Sequence, residues 1–247
     1  MTFLIGAFLV GAVLLTSTLS GVFGMVGGML LLWMLLLIMP AATAIAVQGV
    51  LQLVANVSRA YLARAWIDWR IIRFSTAGLG ASLLLLAFVN YTPDRASVSI
   101  GVGLLTITAW IPTRWAHLDA TRPFHATLCG FLSGGLNIGV GVAGPIVDVF
   151  FIRTSMDRRQ IIATKAALQV LSHLAKIVFY SASLWLLSTA ELTSIGIAAP
   201  FSIAGSLVGH HILLRLTNNG FRRGTLFLVS AIGAIYLGQG VYLLSTG

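Results

Sequence analysis

Long apolar stretches recur along the whole chain and are separated by short segments that carry Pro, Asn, Asp or Arg. A helix needs about 20 apolar residues to cross a bilayer. Because the apolar stretches reach or exceed that length, the pattern predicts an all-α polytopic membrane protein with a single membrane domain, residues 1–247. The predicted segments are 3–39, 41–63, 71–90, 96–113, 124–152, 159–187, 192–214 and 224–244.

Two of these segments, 3–39 and 124–152, are too long for one straight crossing. At 1.5 Å per residue they would measure about 55 and 43 Å, against a hydrocarbon core of about 30 Å. Each contains a glycine cluster, SGVFGMVGG in the first and SGGLNIGVGVAGP in the second. A helix is interrupted at membrane depth only where protein or a polar cavity replaces the lost hydrogen bonds. The clusters therefore predict two broken or re-entrant segments beside a cavity, with close helix packing as the alternative for any single glycine.

The two halves of the chain resemble each other at a fixed spacing. Aligning the glycine clusters pairs Gly24 with Asn137 and Gly28 with Gly141, which are 113 positions apart. The following segments align at a spacing of 117, which pairs Gln48 with Lys165, Gln52 with Gln169, Asn56 with His173 and Arg59 with Lys176. This predicts two repeats, about residues 1–116 and 122–247, each with one glycine-broken segment and three transmembrane helices.

The distribution of arginines predicts the topology, because cytoplasmic loops accumulate Lys and Arg. If each glycine-broken segment enters and leaves the membrane on the same side, Arg95 alone lies on one side and eleven arginines lie on the other. The eleven are Arg64, Arg70, Arg73, Arg114, Arg122, Arg153, Arg158, Arg159, Arg215, Arg222 and Arg223. The second repeat is then inverted relative to the first, as in many secondary transporters of the cell membrane. The net charge of +9 therefore orients the protein in its lipid bilayer and does not indicate nucleic acid binding.

Polar side chains form a stripe on one face of each of the segments 41–63 and 159–187. Ionisable groups at bilayer depth cost at least about 2.5 kcal/mol each on insertion scales, so they normally face a polar pathway. Lys165 is the strongest such candidate, because the spacing places it about 13 Å along its helix and no carboxylate is near it in the sequence. Arg59 and Lys176 lie nearer helix ends, where such side chains can also extend to the interface.

The residues of the glycine breaks and the polar stripes together predict a site for a small anion. A helix that restarts after a break presents free N–H groups and a positive dipole end, and side-chain amides donate to oxyanion oxygens. The candidate binding residues are Gly24, Gly27, Gly28, Gln48, Gln52, Asn56, Asn137, Gly139, Gly141, Lys165, Gln169 and His173. Asp148 and His173 are candidates for coupling to an ion, although Asp148 could equally be an interfacial group or a counter-ion, and His173 a packing residue.

The remaining motifs argue against a resident cofactor, a metal or ATP. Gly139, Gly141 and Gly144 match G-x-G-x-x-G, but that fingerprint requires a preceding strand and an acidic residue about 20 positions later. The lone Cys129 provides neither a thiol metal cluster nor a disulfide framework. Ser133 and His173 leave open an intramembrane hydrolase, although the glycine expected two residues before such a serine is missing.

Four sequence features resemble the TauE/SafE family of sulfite and organosulfonate exporters: SGVFGMVGG, IDWR at 67–70, NIGVGVAGP, and IIATKAALQVLSHLAK at 161–176. The resemblance extends over nearly the whole chain. It implies a duplicated membrane transporter, not an enzyme, that moves sulfite, sulfoacetate or related sulfur-containing anions, commonly outward. The chain departs from the family where an Ala is often followed by Thr at the start of the second helix. The first half has Ala46 and Val47 there, whereas the second half keeps Ala163 and Thr164.

These observations predict a secondary transporter that binds a small anion between the two breaks and exposes it alternately to the two sides. An anion channel built from the same residues is the main alternative. The sequence leaves open which anion is moved, in which direction, with which coupling ion, and in which oligomeric state.

Overall fold

A computed structural model describes residues 2–110, 118–152 and 154–246. The regular structure in these ranges is helical. The helices are α1 (Thr2–Phe23), α2 (Val26–Ile38), α3 (Ala41–Leu62), α4 (Trp69–Phe88), α5 (Arg95–Thr106), α6 (Pro123–Gly139), α7 (Gly144–Phe151), α8 (Arg158–Phe179), α9 (Ser181–Trp185), α10 (Thr189–Leu213) and α11 (Asn218–Thr246). Single 3₁₀ turns occupy Arg64–Trp66 and Ile107–Trp110.

The described helices confirm the prediction of an all-α multi-pass membrane protein. Six of them are long and apolar enough to cross a bilayer: α1, α3, α4, α8, α10 and α11. Each predicted segment contains one of the helices, or two where a break or a short turn divides it. The end of the segment 96–113 lies outside the described residues, as do Arg114 and Arg153 of the predicted basic side.

Acidic and hydroxyl side chains at the helix N-termini determine where several helices begin. Asp68 accepts hydrogen bonds from the backbone N–H groups of Arg70 and Ile71 at 2.9 and 3.1 Å, and so caps α4. Asp157 caps α8 and Ser188 caps α10, each in a capping box. Asp94 caps α5 by accepting from the N–H of Ser97 at 2.8 Å, and the hydrogen bonds from Ser97 lower the pKa of the Asp94 carboxyl.

Both glycine-broken segments are helical hairpins. The N–H of Ala120, just before α6, donates to the carbonyl oxygen of Phe150 near the end of α7 at 2.9 Å, so both ends of this segment lie on the same side. In the first hairpin, a Cβ added to Gly27 on α2 would overlap the carbonyl oxygen of Thr16 on α1. Such close contact between the two helices requires that α2 folds back along α1. Both broken segments therefore fold back on themselves, as the predicted same-side arrangement requires, and the membrane topology stays a prediction.

Two glycines take the left-handed conformation at the hairpin turns. Gly24 has a φ of 71° and lies between α1 and α2, whereas Gly141 has a φ of 82° and lies between α6 and α7. Residues with a Cβ are strained in this region of φ and ψ, so glycine is the residue that allows each turn.

The long helices pack in pairs: α1 on α10, α4 on α6, α5 on α11, and α3 on α8. Glycines allow close approach in the first two pairs, since a Cβ at Gly209 would overlap α1 and one at Gly78 would overlap α6. In the alignment of the two halves, α1 corresponds to α6 and α10 to α4. The first two pairs are therefore equivalent, as a two-fold relation between the predicted repeats requires.

Candidate functional site

The two hairpin turns lie against each other in the interior. A Cβ added to Gly144, at the start of α7, would overlap the side chain of Met25, in the turn between α1 and α2. A Cβ at Gly141 would lie 2.7 Å from Leu32 on α2 and 3.1 Å from Ile45 on α3. The predicted chamber between the two breaks is therefore a region of close contact among α2, α3 and the second hairpin.

Lys176 connects these elements from its position near the end of α8. Its ammonium donates to the carbonyl oxygen of Gly141 at 2.9 Å, to Oδ1 of Asn137 at 3.2 Å, and to Oε1 of Gln48. Nε2 of Gln48 in turn donates to the carbonyl oxygen of Gly28 at 3.3 Å. A continuous chain of hydrogen bonds therefore runs from the first turn of α2 to the break between α6 and α7.

The alternative that Lys176 extends to the interface is wrong, because its side chain is 0% exposed. The space it fills is made by Gly49, where an added Cβ would lie 2.8 Å from Cε of Lys176. Sequence position alone placed Lys176 near a helix end, and it could not show that Asn137 and Gly141 fold back onto that end. Gly49, next to Gln48 on α3, is the sequence signal for the space that the Lys176 side chain occupies.

Tyrosine hydroxyls donate to backbone carbonyl oxygens of both hairpins, and two of these carbonyls lie at the end of α6, where the second break leaves them without a helical partner. Tyr180 donates to the carbonyl oxygen of Ile138 at 2.7 Å, and Tyr91 donates to that of Gly139 at 2.9 Å. In the first hairpin Tyr236 donates to the carbonyl oxygen of Met29 at 2.8 Å. Burial, together with the charge of Asp94, raises the pKa of Tyr91, which lies in the loop between α4 and α5. Tyr180 and Tyr91 therefore satisfy carbonyl groups at the interrupted end of α6, whereas Tyr236 ties α11 to α2.

Three buried polar atoms in the two stripes have no hydrogen-bond partner among the described residues: Nε2 of Gln52, Oδ1 of Asn56 and Nδ1 of His173. Gln52 is only 6% exposed, and its Nε2 lies 3.3 Å from the position that a Cβ on Gly28 would occupy. The N–H groups in the first turn of a helix have no partners within that helix. An unpaired amide donor thus faces the N-terminal turn of α2, where free N–H groups also lie.

Lys165 has a different environment from the one its sequence predicts. It forms an ion pair with Asp148 on α7, although no carboxylate is near Lys165 in the sequence. The hairpin brings Asp148 back to α8 from 17 positions earlier in the chain, which confirms the counter-ion interpretation of Asp148. The side chains are 25% and 46% exposed and line a pocket of about 340 Å³ together with Phe151, Ile152 and Ile161.

The other candidate residues lie around these two clusters. Gly27 packs on α1, Gln169 is half-buried on α8, and Gly24 and Gly139 have open space where a Cβ would be. Thr164 is fully buried, and its Oγ1 accepts the N–H of Asp68 at 3.0 Å. This bond ties the IDWR stretch to the start of the ATKAALQ stretch, so Thr164 holds α8 against α4.

A multi-pass helical bundle with two facing hairpins and buried polar groups between them is an architecture of membrane transport proteins. The family model described as "Sulfite exporter TauE/SafE" matches residues 9–236. The chain is therefore a member of the TauE/SafE family of sulfite exporters, an integral membrane protein of a transporter family. No curated protein and no solved structure matches the chain.

Proposed function

We propose that the protein is a secondary transporter that exports a small sulfur-containing anion, such as sulfite, sulfoacetate or a related organosulfonate, by alternating access. The observation that carries this proposal is the unpaired amide of Gln52, which is buried and faces the first turn of α2. A buried donor without a partner costs about 1–3 kcal/mol, and an oxyanion bound there would remove that cost. Family membership supports the class of substrate.

The proposed anion site lies where the hairpin turns meet. The N–H groups of Gly27 and Gly28 and the amide of Gln52 would bind the oxyanion, with the positive end of the α2 dipole behind them. Gln48, Asn56, Asn137 and Gly141 would shape the site through their hydrogen bonds, and Gln169 and His173 would border it on α8. Gly24 and Gly139 would give the turns their freedom to move.

Lys165 and Asp148 would act on the side of the basic loops, which is the predicted cytoplasmic side. The pocket they line is open, and its Lys165 lies eleven positions before Lys176 on α8. An anion that enters this pocket competes with the Asp148 carboxylate for the Lys165 ammonium. The ion pair is thus proposed as the first contact of the anion, and its opening as the step that admits the anion from the cytoplasm.

Alternating access would be a rocking of the two halves about the α3–α8 contact. This contact joins equivalent helices of the two predicted repeats and holds Lys176 between them. An inside-negative membrane potential favours outward movement of an anion by about 2.3 kcal/mol per charge at 100 mV. An inside-negative membrane potential therefore supports export of the anion over its uptake.

The direct test is efflux of labelled sulfite from proteoliposomes that contain the purified protein. We expect saturable efflux from the wild type, and at least an about tenfold higher half-saturation concentration for Gln52→Leu, because a hydrogen bond to a charged group contributes about 1.5–3 kcal/mol. Gln239→Leu is the matched control, since the amide oxygen of Gln239 on α11 is also buried without a partner. If both variants lose activity equally, the Gln52 contact is not specific.

A second measurement, the effect of unlabelled sulfite on the far side of the membrane, distinguishes a transporter from a channel. In a transporter, unlabelled sulfite on the far side accelerates the movement of labelled sulfite, because the loaded protein reorients in both directions. Flux that shows neither saturation nor this acceleration would support the channel. If the wild type moves none of sulfite, sulfate, thiosulfate, sulfoacetate and taurine, the proposal is wrong.

A further inference from the structure

The Lys176 ammonium is isolated from solvent and surrounded by neutral groups. Among the lysine and arginine side chains that the structure describes, it is the only one that is fully buried. Its three hydrogen-bond acceptors are two side-chain amide oxygens and one backbone carbonyl oxygen. They satisfy its three N–H groups but carry no negative charge.

The acidic side chains of the chain are all engaged elsewhere. The chain has six, and each lies within the described ranges. Asp68, Asp94, Asp157 and Glu191 serve helix N-termini, Asp119 accepts from Thr121 in the turn before α6, and Asp148 pairs with Lys165. None of them is available to Lys176, so its charge has no counter-ion within the described chain.

The nearest cationic neighbour in the stripe on α3 does not share this environment. Arg59 lies in the last turn of α3, is only half-buried, and donates to Oγ of Ser206 on α10 at 2.8 Å. Among the described side chains, Lys176 is therefore the one fully buried cation.

Lys176 is linked through Gln48 to Gly28, beside the unpaired Nε2 of Gln52. His173, three positions before Lys176 on α8, has an unpaired ring nitrogen. The three acceptors around Lys176 match the three N–H groups of a charged ammonium, and a buried charge without a counter-ion is strongly unfavourable, so an anion beside Lys176 is favoured.

We infer that the transported anion is the counter-ion of Lys176, so that the loaded site is neutral and the empty site carries one positive charge. This inference rests on the proposed function and specifies the charge of its substrate. A singly charged anion, such as hydrogensulfite or a monosulfonate, neutralises the site. A dianion leaves one negative charge buried and is disfavoured. Sulfate is one example, and sulfoacetate, whose sulfonate and carboxylate are both ionised at about pH 7, is another, so the proposed substrates are narrowed to monoanions.

The charge of the empty site also determines which step responds to voltage. When the loaded site is neutral, reorientation with anion bound moves no charge across the membrane field. Return of the empty site moves one positive charge inward, so an inside-negative potential accelerates it. Net efflux then depends on voltage, whereas one-for-one exchange of anion does not.

The test uses wild-type protein in proteoliposomes with a potential set by potassium and valinomycin, and labelled methanesulfonate as the probe. We expect an inside-negative potential to accelerate net efflux several-fold and to leave methanesulfonate exchange unchanged, with sulfate moved at least about tenfold less well. Exchange that responds to voltage as strongly as net efflux, or a preference for sulfate, would overturn the inference. A wild type that moves no sulfur anion at all would instead contradict the proposed function.

Substitution of the two lysines on α8 gives a matched comparison. Lys176→Gln keeps hydrogen-bonding groups at the site but removes the charge, and we expect the half-saturation concentration for methanesulfonate to rise at least tenfold. Lys165→Gln removes a charge that Asp148 already neutralises, and we expect a smaller change. Equal half-saturation in the wild type and Lys176→Gln would overturn the inference. If Lys176→Gln does not fold, the voltage dependence of exchange by the wild type still tests whether the anion is the counter-ion of Lys176.

Discussion

At the scale of single residues, the two lysines of the chain show what sequence position can and cannot indicate. Both lie on α8, eleven positions apart, and both belong to the polar stripe that the spacing predicts. Spacing alone favoured Lys165 as the uncompensated charge, yet Asp148 pairs with Lys165 and Lys176 is the buried one. Partners that arrive through a hairpin are not visible in the local sequence.

The ion pair yields a prediction with opposite signs for its two members. If the anion competes with Asp148 for Lys165, Lys165→Ala raises the half-saturation concentration for export about threefold, whereas Asp148→Ala lowers it. Because both side chains are partly exposed, either change should alter the free energy of unfolding by less than about 1 kcal/mol. Initial rates of efflux from proteoliposomes over a range of internal anion concentrations give both values.

The double variant is the control for this prediction. Asp148→Ala should have no further effect in a Lys165→Ala background, because the carboxylate then has nothing to release. A decrease in transport from both single variants would indicate that the pair only stabilises the second hairpin.

At the scale of helices, the glycine clusters predicted that both long segments break, but not how the chain turns. The roles of individual glycines depend on neighbours that are distant in sequence: Gly27 packs on α1, whereas Gly141 takes a positive φ against Leu32. Composition cannot separate these roles, because both require a residue without a Cβ. Both hairpins were predictable from the loop charges, because nearly all loop arginines lie on one side of the membrane only if each broken segment returns to the side from which it enters.

The turn glycines give a graded prediction for stability. Gly141→Ala should destabilise the protein by at least about 2 kcal/mol, because it adds the cost of a left-handed alanine to an overlap with Leu32. Gly24→Ala should cost only the backbone strain, about 1 kcal/mol, since no atom lies within 4 Å of the added Cβ. Unfolding of the purified variants in detergent, followed by circular dichroism, measures both changes.

Gly139→Ala is the matched control, because Gly139 is helical and also has open space around it. It should leave the midpoint of unfolding unchanged or slightly raised, since alanine favours a helix more than glycine does. Equal losses at positions 139 and 141 would show that the positive φ of Gly141 is not what limits substitution.

At the scale of the whole molecule, the hydrophobic pattern was sufficient to predict the class of fold, because only helices can satisfy the backbone over such lengths of apolar sequence. The inverted relation of the two repeats stays a prediction, supported by the equivalent packing of α1 on α10 and of α6 on α4. Three of the candidate residues, Gln48, Asn137 and Gly141, do lie together around Lys176, and the anion site they would form stays a prediction. The cation at their centre was not predictable, because Lys176 reaches the region only through tertiary packing.

The most direct test of the central claim, that the anion binds where the two hairpin turns meet, is to locate a bound anion by anomalous scattering. Selenite has the shape and charge states of sulfite, and its selenium would stand out in crystals of the wild-type protein. The predicted result is a selenium peak beside Lys176, placed so that the selenite oxygens lie within hydrogen-bonding distance of Gln52 Nε2 and the first turn of α2. Selenium found only in the pocket of Asp148 and Lys165, with none between the turns, would contradict it.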